Sequence, residues 1–454
     1  MDSTLFFLEE WDKEYVWHPF TQMKLYRKEK PLIIASGKGS YLFDTEGKRY
    51  LDGTSSLWVT VHGHNNEEIN SAIKDQLGRV AHTTLLGLAN IPTIMLAKKL
   101  AEITPSGLNK VFYSDSGATS VEIALKMAYQ YWQQQGQEKY RAKRRFISLA
   151  EAYHGDTIGS VSVGGIDLFH RKFKPLLFET IHSPAPYCYR CSLEKSRDTC
   201  EMECLKKLKE IFERHHLEVA GIVVEPVVQG AAGMIVAPDG FLSEISRMCK
   251  RYNVLLIADE VAVGFGRTGR LFACEHEEIT PDIMCLAKGI TGGYLPLAAT
   301  LTTDEIFEAF LGEIDEFKTF YHGHTYTGNP LACSAALANL ELMEKNNLIE
   351  GLQQKISFFS EWLKEFHTLK HVGDIRQKGM MAGIELVEDR ESKKPYPPGA
   401  NIGHQVILKA RQEGLIIRPL GNVIVLMPVL SMSLQELEEV LRITYNSIKT
   451  VTEN

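Results

Sequence analysis

Residues 254–296 read VLLIADEVAVGFGRTGRLFACEHEEITPDIMCLAKGITGGYLP. The stretch opens on an apolar run, Val254-Leu255-Leu256-Ile257-Ala258, with the length and composition of a buried strand, and that run ends on two carboxylates, Asp259 and Glu260. A second short apolar run, Ile283-Met284-Cys285-Leu286-Ala287, delivers Lys288, followed at once by Gly289. A carboxylate at one strand end and a lysine at another is what an aldehyde cofactor with a basic ring nitrogen requires. The lysine amine holds the aldehyde covalently, and the carboxylate keeps the pyridine nitrogen protonated so that the ring acts as an electron sink. The cofactor implied is pyridoxal 5′-phosphate.

Taken singly these residues are ordinary: a lysine before a glycine is commonly solvated, and Asp-Glu after a strand commonly opens a loop. Their combination carries the reading. Gly264-Phe265-Gly266-Arg267-Thr268-Gly269 also spells G-x-G-x-x-G, the pattern of a dinucleotide-binding dehydrogenase. That pattern should follow its strand directly and open a helix. Here the strand has already ended at Asp259, and residues 270–281 show no sustained helical period. Read as a P-loop, the same glycines lack the Lys and Ser/Thr of that motif, because Arg270 and Leu271 follow. Both matches are read as accidental.

A chain of 454 residues is too long for one small core and suggests two or three domains. With 44% hydrophobic and 24% charged residues it has an ordinary globular composition, and a net charge of −7 gives no electrostatic reason to expect nucleic acid or an anionic membrane as partner. The N-terminus has a four-residue apolar run and no basic leader, and no apolar run approaches membrane-spanning length, so a cytoplasmic protein is expected. Cys188, Cys191, Cys200 and Cys204 could form a four-thiolate zinc site, on which a non-enzymatic interaction module would rest. The second pair opens an amphipathic helix, however, which favours reduced thiols in an insertion. His62-Gly63-His64 lacks further ligands and reads as turn residues.

Along the chain, Trp17-His18-Pro19-Phe20 is an aromatic cluster suited to latching the terminus onto the body, and residues 39–52 read as a hairpin around Asp44-Thr45-Glu46-Gly47. Helical spacing follows over residues 67–77 and 92–103. Then Lys110-Val111-Phe112-Tyr113 leads through Ser114-Asp115-Ser116-Gly117-Ala118 into a strong helix. Such a turn offers unpaired N–H groups at the positive end of the helix dipole, where Gly117 and Ala118 could hold a phosphate. Residues 145–149 form a strand that leads to Tyr153-His154-Gly155, and an aromatic at a strand end can lie over a planar ring. Residues 221–224 form another, leading to Glu225. Thr325 reads locally as an N-cap for the helix after Pro330. Arg418 ends a short apolar strand, where a guanidinium suits carboxylate capture.

The apolar strand ending in Asp259-Glu260, with Lys288 about thirty residues on, resembles the signature of class III pyridoxal-phosphate aminotransferases, and the resemblance covers essentially the whole chain. It implies fold type I, an α/β architecture with a large, mostly parallel-sheet domain flanked by helices and a smaller α+β domain. The division expected is an N-terminal segment over residues 1–65, a cofactor domain over 66–330 and a small domain over 331–454. The branch that aminates 8-amino-7-oxononanoate in biotin synthesis resembles this chain most, with S-adenosylmethionine as the usual donor. By that resemblance Lys288, Asp259 and Tyr153 are catalytic; Gly117, Ala118, Glu225, His324 and Thr325 join them in binding the cofactor; Gln229 helps position its ring; and Phe20, Leu57, Trp58, Tyr153, Gly323 and Arg418 meet the substrate. Thr325 would reach across a two-fold interface, which makes a homodimer part of the expectation. Phe20 stands where the branch usually has tyrosine, and Leu57-Trp58 where it has paired tryptophans. Those departures resemble a lysine-using branch, since a tyrosine hydroxyl and an indole would favour a sulfonium.

Overall fold

The computed structural model describes residues 3–453; Met1 and Asp2, the first residues of the terminus read above, and Asn454 lie outside them. Its centre is a seven-stranded sheet in the order 110–114, 298–302, 283–286, 255–259, 219–224, 145–149, 180–183. The strands Leu255–Asp259 and Val219–Val224 are buried along their whole length, and Ile283–Leu286 is likewise buried, which is why they read as unbroken apolar runs rather than as alternating patterns. Leu255–Asp259 pairs in parallel with both neighbours, and its register sets Asp259 opposite Cys285. Ala298–Thr302 is antiparallel to both strands beside it, so Lys110–Ser114 runs in the same direction as the Lys288 strand. The C-terminal ends of 110–114, 145–149, 219–224, 255–259 and 283–286 therefore open on one edge of the sheet, where open α/β sheets bind their ligands.

Helices cover the sheet, among them Gly117–Gln134, whose inner face buries Val121, Ile123, Ala124, Ala128 and Trp132. After the helix Pro330–Lys345 come the helix Leu348–Glu365 and a second antiparallel sheet built from Val372–Lys378, Met381–Asp389, Val423–Leu426 and Arg418–Leu420. The N-terminal strands Ile34–Lys38, Tyr41–Asp44 and Arg49–Asp52 form a meander, and Leu415–Ile416 joins it in parallel beside Leu51 and Asp52. The two ends of the chain thus share one sheet. One continuous hydrophobic core runs from Leu51 through Leu256 and Leu286 to Leu441.

Several sequence expectations meet the structure directly. The helices Glu67–Leu77 and Ile91–Ile103 match their readings within a residue. The G-x-G-x-x-G segment opens no helix, and its Arg267 is buried, donating to the carbonyl oxygens of Pro428 and Thr60, each at 2.7 Å. The helix after Pro330 is capped by Asn329, whose side chain accepts from the Ala332 N–H at 3.1 Å, and not by Thr325. Trp17 is 87% exposed in the single chain, so it latches nothing within it. Cys188, Cys191, Cys200 and Cys204 are free thiols around a small cavity of about 160 Å³, and among the described residues no three His, Cys, Asp or Glu side chains are grouped to hold a metal. No helix among the described residues is long and apolar enough to cross a membrane.

Candidate active site

The strand ends converge on a cavity of about 630 Å³ lined by Trp58, Gly117, Ala118, Tyr153, His154, Glu225, Asp259 and Lys288, with neighbours from the same turns. Lys288 follows its strand after a single residue, Ala287, and its φ of 45° is a left-handed conformation strained for a side chain of this kind. Its amine lies 5.1 Å from the centroid of the Trp58 ring. Burial lowers the amine below the ordinary lysine range, with Asp259 and Glu225 pulling the other way. A lowered amine is more often neutral near physiological pH and so can act as nucleophile and base.

The two carboxylates after the neighbouring strand divide their work. Asp259 accepts at 2.7 Å from His154 Nδ1 and at 3.0 Å from the Val261 N–H, with His154 wholly enclosed. Glu260 faces away from the cavity and accepts from the N–H groups of Ala273, 2.9 Å, and Cys274, 2.7 Å, which fixes the turn that follows. Burial pushes its carboxyl up to about 7. Glu225 bridges two loops, accepting from the Tyr153 N–H at 3.1 Å and the Gly230 N–H at 2.8 Å. Burial raises it too to about 7, with Asp259 adding to the rise and His154 opposing it. Tyr153 donates its hydroxyl to Asp156 at 2.7 Å, so its ring is held at both ends. Gln229 donates to the Ala150 carbonyl at 2.8 Å and does not line the cavity.

Between Lys110–Ser114 and the helix Gly117–Gln134, Ser116 and Thr119 form a reciprocal capping box. That cap leaves the first N–H groups, of Gly117 and Ala118, without intrahelical acceptors. A Cβ on Gly117 would come within 2.5 Å of Val261, and one on Gly155, where φ is +124°, would fall on Ala118. The backbone therefore approaches this helix end as closely as it can. A planar pyridine bearing an aldehyde and a phosphate fits the donor set: an amine, a carboxylate backed by histidine, an aromatic side chain and a helix N-terminus facing one cavity.

Other expected residues do not line the cavity of the single chain. Phe20 is 56% exposed and packs edge-on against Phe169, ring centroids 5.3 Å apart, and Phe169 in turn packs against Tyr153 at 6.2 Å. Leu57 is 48% exposed while its neighbour Trp58 is buried, in an irregular turn where Ser55, Ser56 and Trp58 all have positive φ. Gly323, His324 and Thr325 lie on a loop outside the cavity, with Gly323 and Thr325 exposed. Arg418 is half-buried, has no ion-pair partner among the described residues and lies off the cavity lining. His154 and Phe169 are the residues that sequence reasoning passed over. His154 had a signal, its place beside Tyr153; Phe169 had none.

Comparison with known proteins agrees with this geometry. Residues 25–448 match the family described as Aminotransferase class-III. The adenosylmethionine-8-amino-7-oxononanoate aminotransferase of Geobacter sulfurreducens is 56% identical over 98% of both chains. The crystal structure of the enzyme of that name from Methanocaldococcus jannaschii superposes with a TM-score of 0.94 at 52% identity, covering 98% of this chain and 99% of that one. An (S)-enantioselective omega-transaminase from Thermomicrobium roseum gives 0.93 at 36% identity over 99% of each chain. With the match spanning nearly the whole sequence, the chain belongs to the class III aminotransferases.

Proposed function

We propose that this protein aminates 8-amino-7-oxononanoate to 7,8-diaminononanoate, a step of biotin synthesis, with S-adenosylmethionine as amino donor, as a cytoplasmic homodimer. The observation that carries the reading is full-length identity above 50% to enzymes bearing that name, in a chain whose Lys288, Asp259 and Glu225 face one cavity. Class III aminotransferases are pyridoxal-phosphate enzymes, and the bound cofactor supplies an electron sink that allows a proton to leave the carbon bearing the amine.

The chain's own residues do the rest. Lys288 Nζ would hold the cofactor's aldehyde and, when free, would take the proton from the amine-bearing carbon as base and return it as general acid. The same amine runs the sequence backwards for the acceptor. Asp259, fixed by His154 and Val261, presents a carboxylate to the ring nitrogen. Gly117 and Ala118 would hold the phosphate and Tyr153 would cover the ring; Glu225 fixes the backbone of Tyr153, and Trp58 walls the amine's side. Arg418, with no acidic partner among the described residues, binds the acceptor's carboxylate with Phe20 and Leu57 at the mouth. The chain works as a cofactor body over residues 66–330, with residues 1–65 and 331–454 joined through the shared sheet as its cover.

A second copy completes the site. Thr325 and His324 have no role in the single chain's cavity, and the segment around them exposes Phe317 and Tyr321, each at 72%. In the dimer, Gly323 meets the substrate while His324 and Thr325 reach the partner's phosphate. Phe20 and Leu57 favour a second donor, lysine, because neither supplies the polar or indole contact suited to a sulfonium. A half-reaction decides: purified protein mixed with S-adenosylmethionine or with lysine should lose the visible absorbance of its bound cofactor with one of them. Bleaching by lysine alone moves the donor assignment, and bleaching by neither overturns both. Mixing Lys288→Ala with Thr325→Ala chains should restore activity if sites are shared.

A further inference from the structure

Trp58, the residue that walls the Lys288 amine, stands on backbone that no local preference supports. Ser55, Ser56 and Trp58 have φ of 51°, 60° and 67°, three left-handed residues among four, none of them glycine. Such backbone persists only where its surroundings hold it, and it gathers at sites that use the geometry it imposes. The holder here is Asp52, which is fully buried. Its Oδ2 accepts from the Ser56 N–H at 2.7 Å and from His64 Nε2 at 2.9 Å, and its Oδ1 accepts from the Thr54 N–H at 3.3 Å. His64 is pinned in turn through its backbone, which exchanges hydrogen bonds with Gly39 at 2.8 and 3.0 Å. Ser55 Oγ donates to the Met427 carbonyl at 2.7 Å, and Arg267 donates to the Thr60 carbonyl at 2.7 Å. The Trp58 side chain that results is buried, lines the cavity and has an indole N–H with no partner among the described residues. It is closely packed, since a Cβ added to Gly230 would lie 3.4 Å from the ring. Two stretches to which the sequence gave no function, His62-Gly63-His64 and residues 264–269, thus each send one side chain to this turn.

We propose that Asp52 and His64 are a positioning pair for the reaction: together they clamp the turn Ser55–Trp58 and so hold the Trp58 ring over the Lys288 amine, 5.1 Å from it. The proposal rests on the reading of this cavity as the site of cofactor and substrate. A carboxylate suits the task because it accepts several N–H groups at once and donates none, so a single side chain pairs backbone that belongs to no regular helix or sheet. Bonds to an ionised acceptor are also stronger than neutral ones. Neither Asp52 nor His64 lines the cavity, so the pair acts on the chemistry only through the turn it holds. The face of an indole attracts a nearby ammonium, and a ring released from its turn would lose that contact and its place as a wall beside the amine.

The test uses the full-length protein with fluorotryptophan at its five tryptophans, the Trp58 resonance being assigned by its loss in Trp58→Phe. In cofactor-free protein that resonance should move and broaden in Asp52→Ala and lie close to wild type in Asp52→Asn, which keeps an oxygen for the Ser56 N–H. In the holoenzyme, Asp52→Ala should lower the single-turnover rate about tenfold to a hundredfold, measured with saturating amounts of the donor that bleaches wild type. Asp52→Asn should recover most of that rate, and cofactor affinity should change less than about twofold in either variant, because the phosphate turn lies on another element. In a Trp58→Ala background, Asp52→Ala should cost less than about twofold more, since the ring through which it acts is gone. A role confined to folding would lower the melting temperature and give losses that multiply in the double variant. Multiplying losses, or a Trp58 resonance unmoved in Asp52→Ala, overturn the proposal. Should Asp52→Ala not fold, His64→Phe removes the side-chain donor to Asp52 and should displace the Trp58 resonance in the same direction; an unmoved resonance there overturns the proposal equally. The cofactor-free resonance separates failure of this clamp from failure of the functional reading.

Discussion

Gly155→Ala tests the phosphate cradle through its backbone alone. Gly155 has a φ of +124°, and an added Cβ would fall on Ala118 Cβ, 2.7 Å from its Cα and 3.3 Å from Ser160 Cβ. The left-handed backbone costs an alanine about 1–2 kcal/mol. Forcing a methyl against a helix end that cannot yield costs about 1–3 kcal/mol more. Relief comes only by moving the first turn of Gly117–Gln134, and with it the two N–H groups that would hold the phosphate. A displacement worth about 2–4 kcal/mol weakens cofactor binding roughly 30- to 1,000-fold. The assay is titration of cofactor into cofactor-free protein, followed by visible absorbance, beside a thermal melt. Gly107→Ala is the control: its φ is +101°, nothing lies within 4 Å of the added Cβ, and only the backbone term of about 1–2 kcal/mol applies. Gly155→Ala binding cofactor as tightly as Gly107→Ala would refute the reasoning that this contact shapes the cradle.

Asp259→Asn keeps the shape and an acceptor for His154 but removes the charge; about 4 kcal/mol for a close pair in a partly screened interior predicts a fall of about 10³ in kcat, measured in single turnover, while the melting curve changes little. Arg418→Gln should raise KM for the carboxylate-bearing acceptor about tenfold or more with a smaller change in kcat, and should leave a substrate esterified at that carboxylate unaffected. Glu260 carries a pH signature: its folded carboxyl stands at about 7 against 4.5, so stability held below pH 4.5 is lost as pH rises through 7, by up to about 3 kcal/mol. Urea melts of cofactor-free protein should show that slope, and Glu260→Gln should flatten it in part, since Glu225 titrates in the same direction.

The strands carrying Asp259 and Lys288 were legible because burial on both faces leaves a short, unbroken apolar run, and the polar residue that ends such a run marks the sheet edge where ligands bind. Gly117 and Ala118 were legible for a related reason: a small turn between strand and helix has few other uses for its N–H groups. What the sequence left hidden depends on contacts distant along the chain. His154 meets Asp259 across 105 positions, and nothing local to either residue announces the pairing. Leu57 and Trp58 were read together, yet in an irregular turn one is exposed and the other buried. Thr325 was read both as a cap and as a cross-subunit ligand; Asn329 takes the first role, and the second belongs to the dimer proposed above. Arg418 was read as ending an apolar strand, but that strand stops at Ile416 and Arg418 opens the next one, Arg418–Leu420; it stands off the cavity, so its meeting with a carboxylate depends on the substrate spanning the distance.

The most direct measurement concerns which side chain holds the cofactor. Purified protein is reduced with borohydride, digested, and the peptide that has gained the cofactor's mass is sequenced by tandem mass spectrometry. The modified residue should be Lys288, in the peptide running from Ile283-Met284-Cys285-Leu286-Ala287 into Gly289, with labelling abolished in Lys288→Ala. Cofactor mass on any other lysine, or on none while the visible band is present, would contradict the assignment of Lys288 and Asp259 as the two poles of the site.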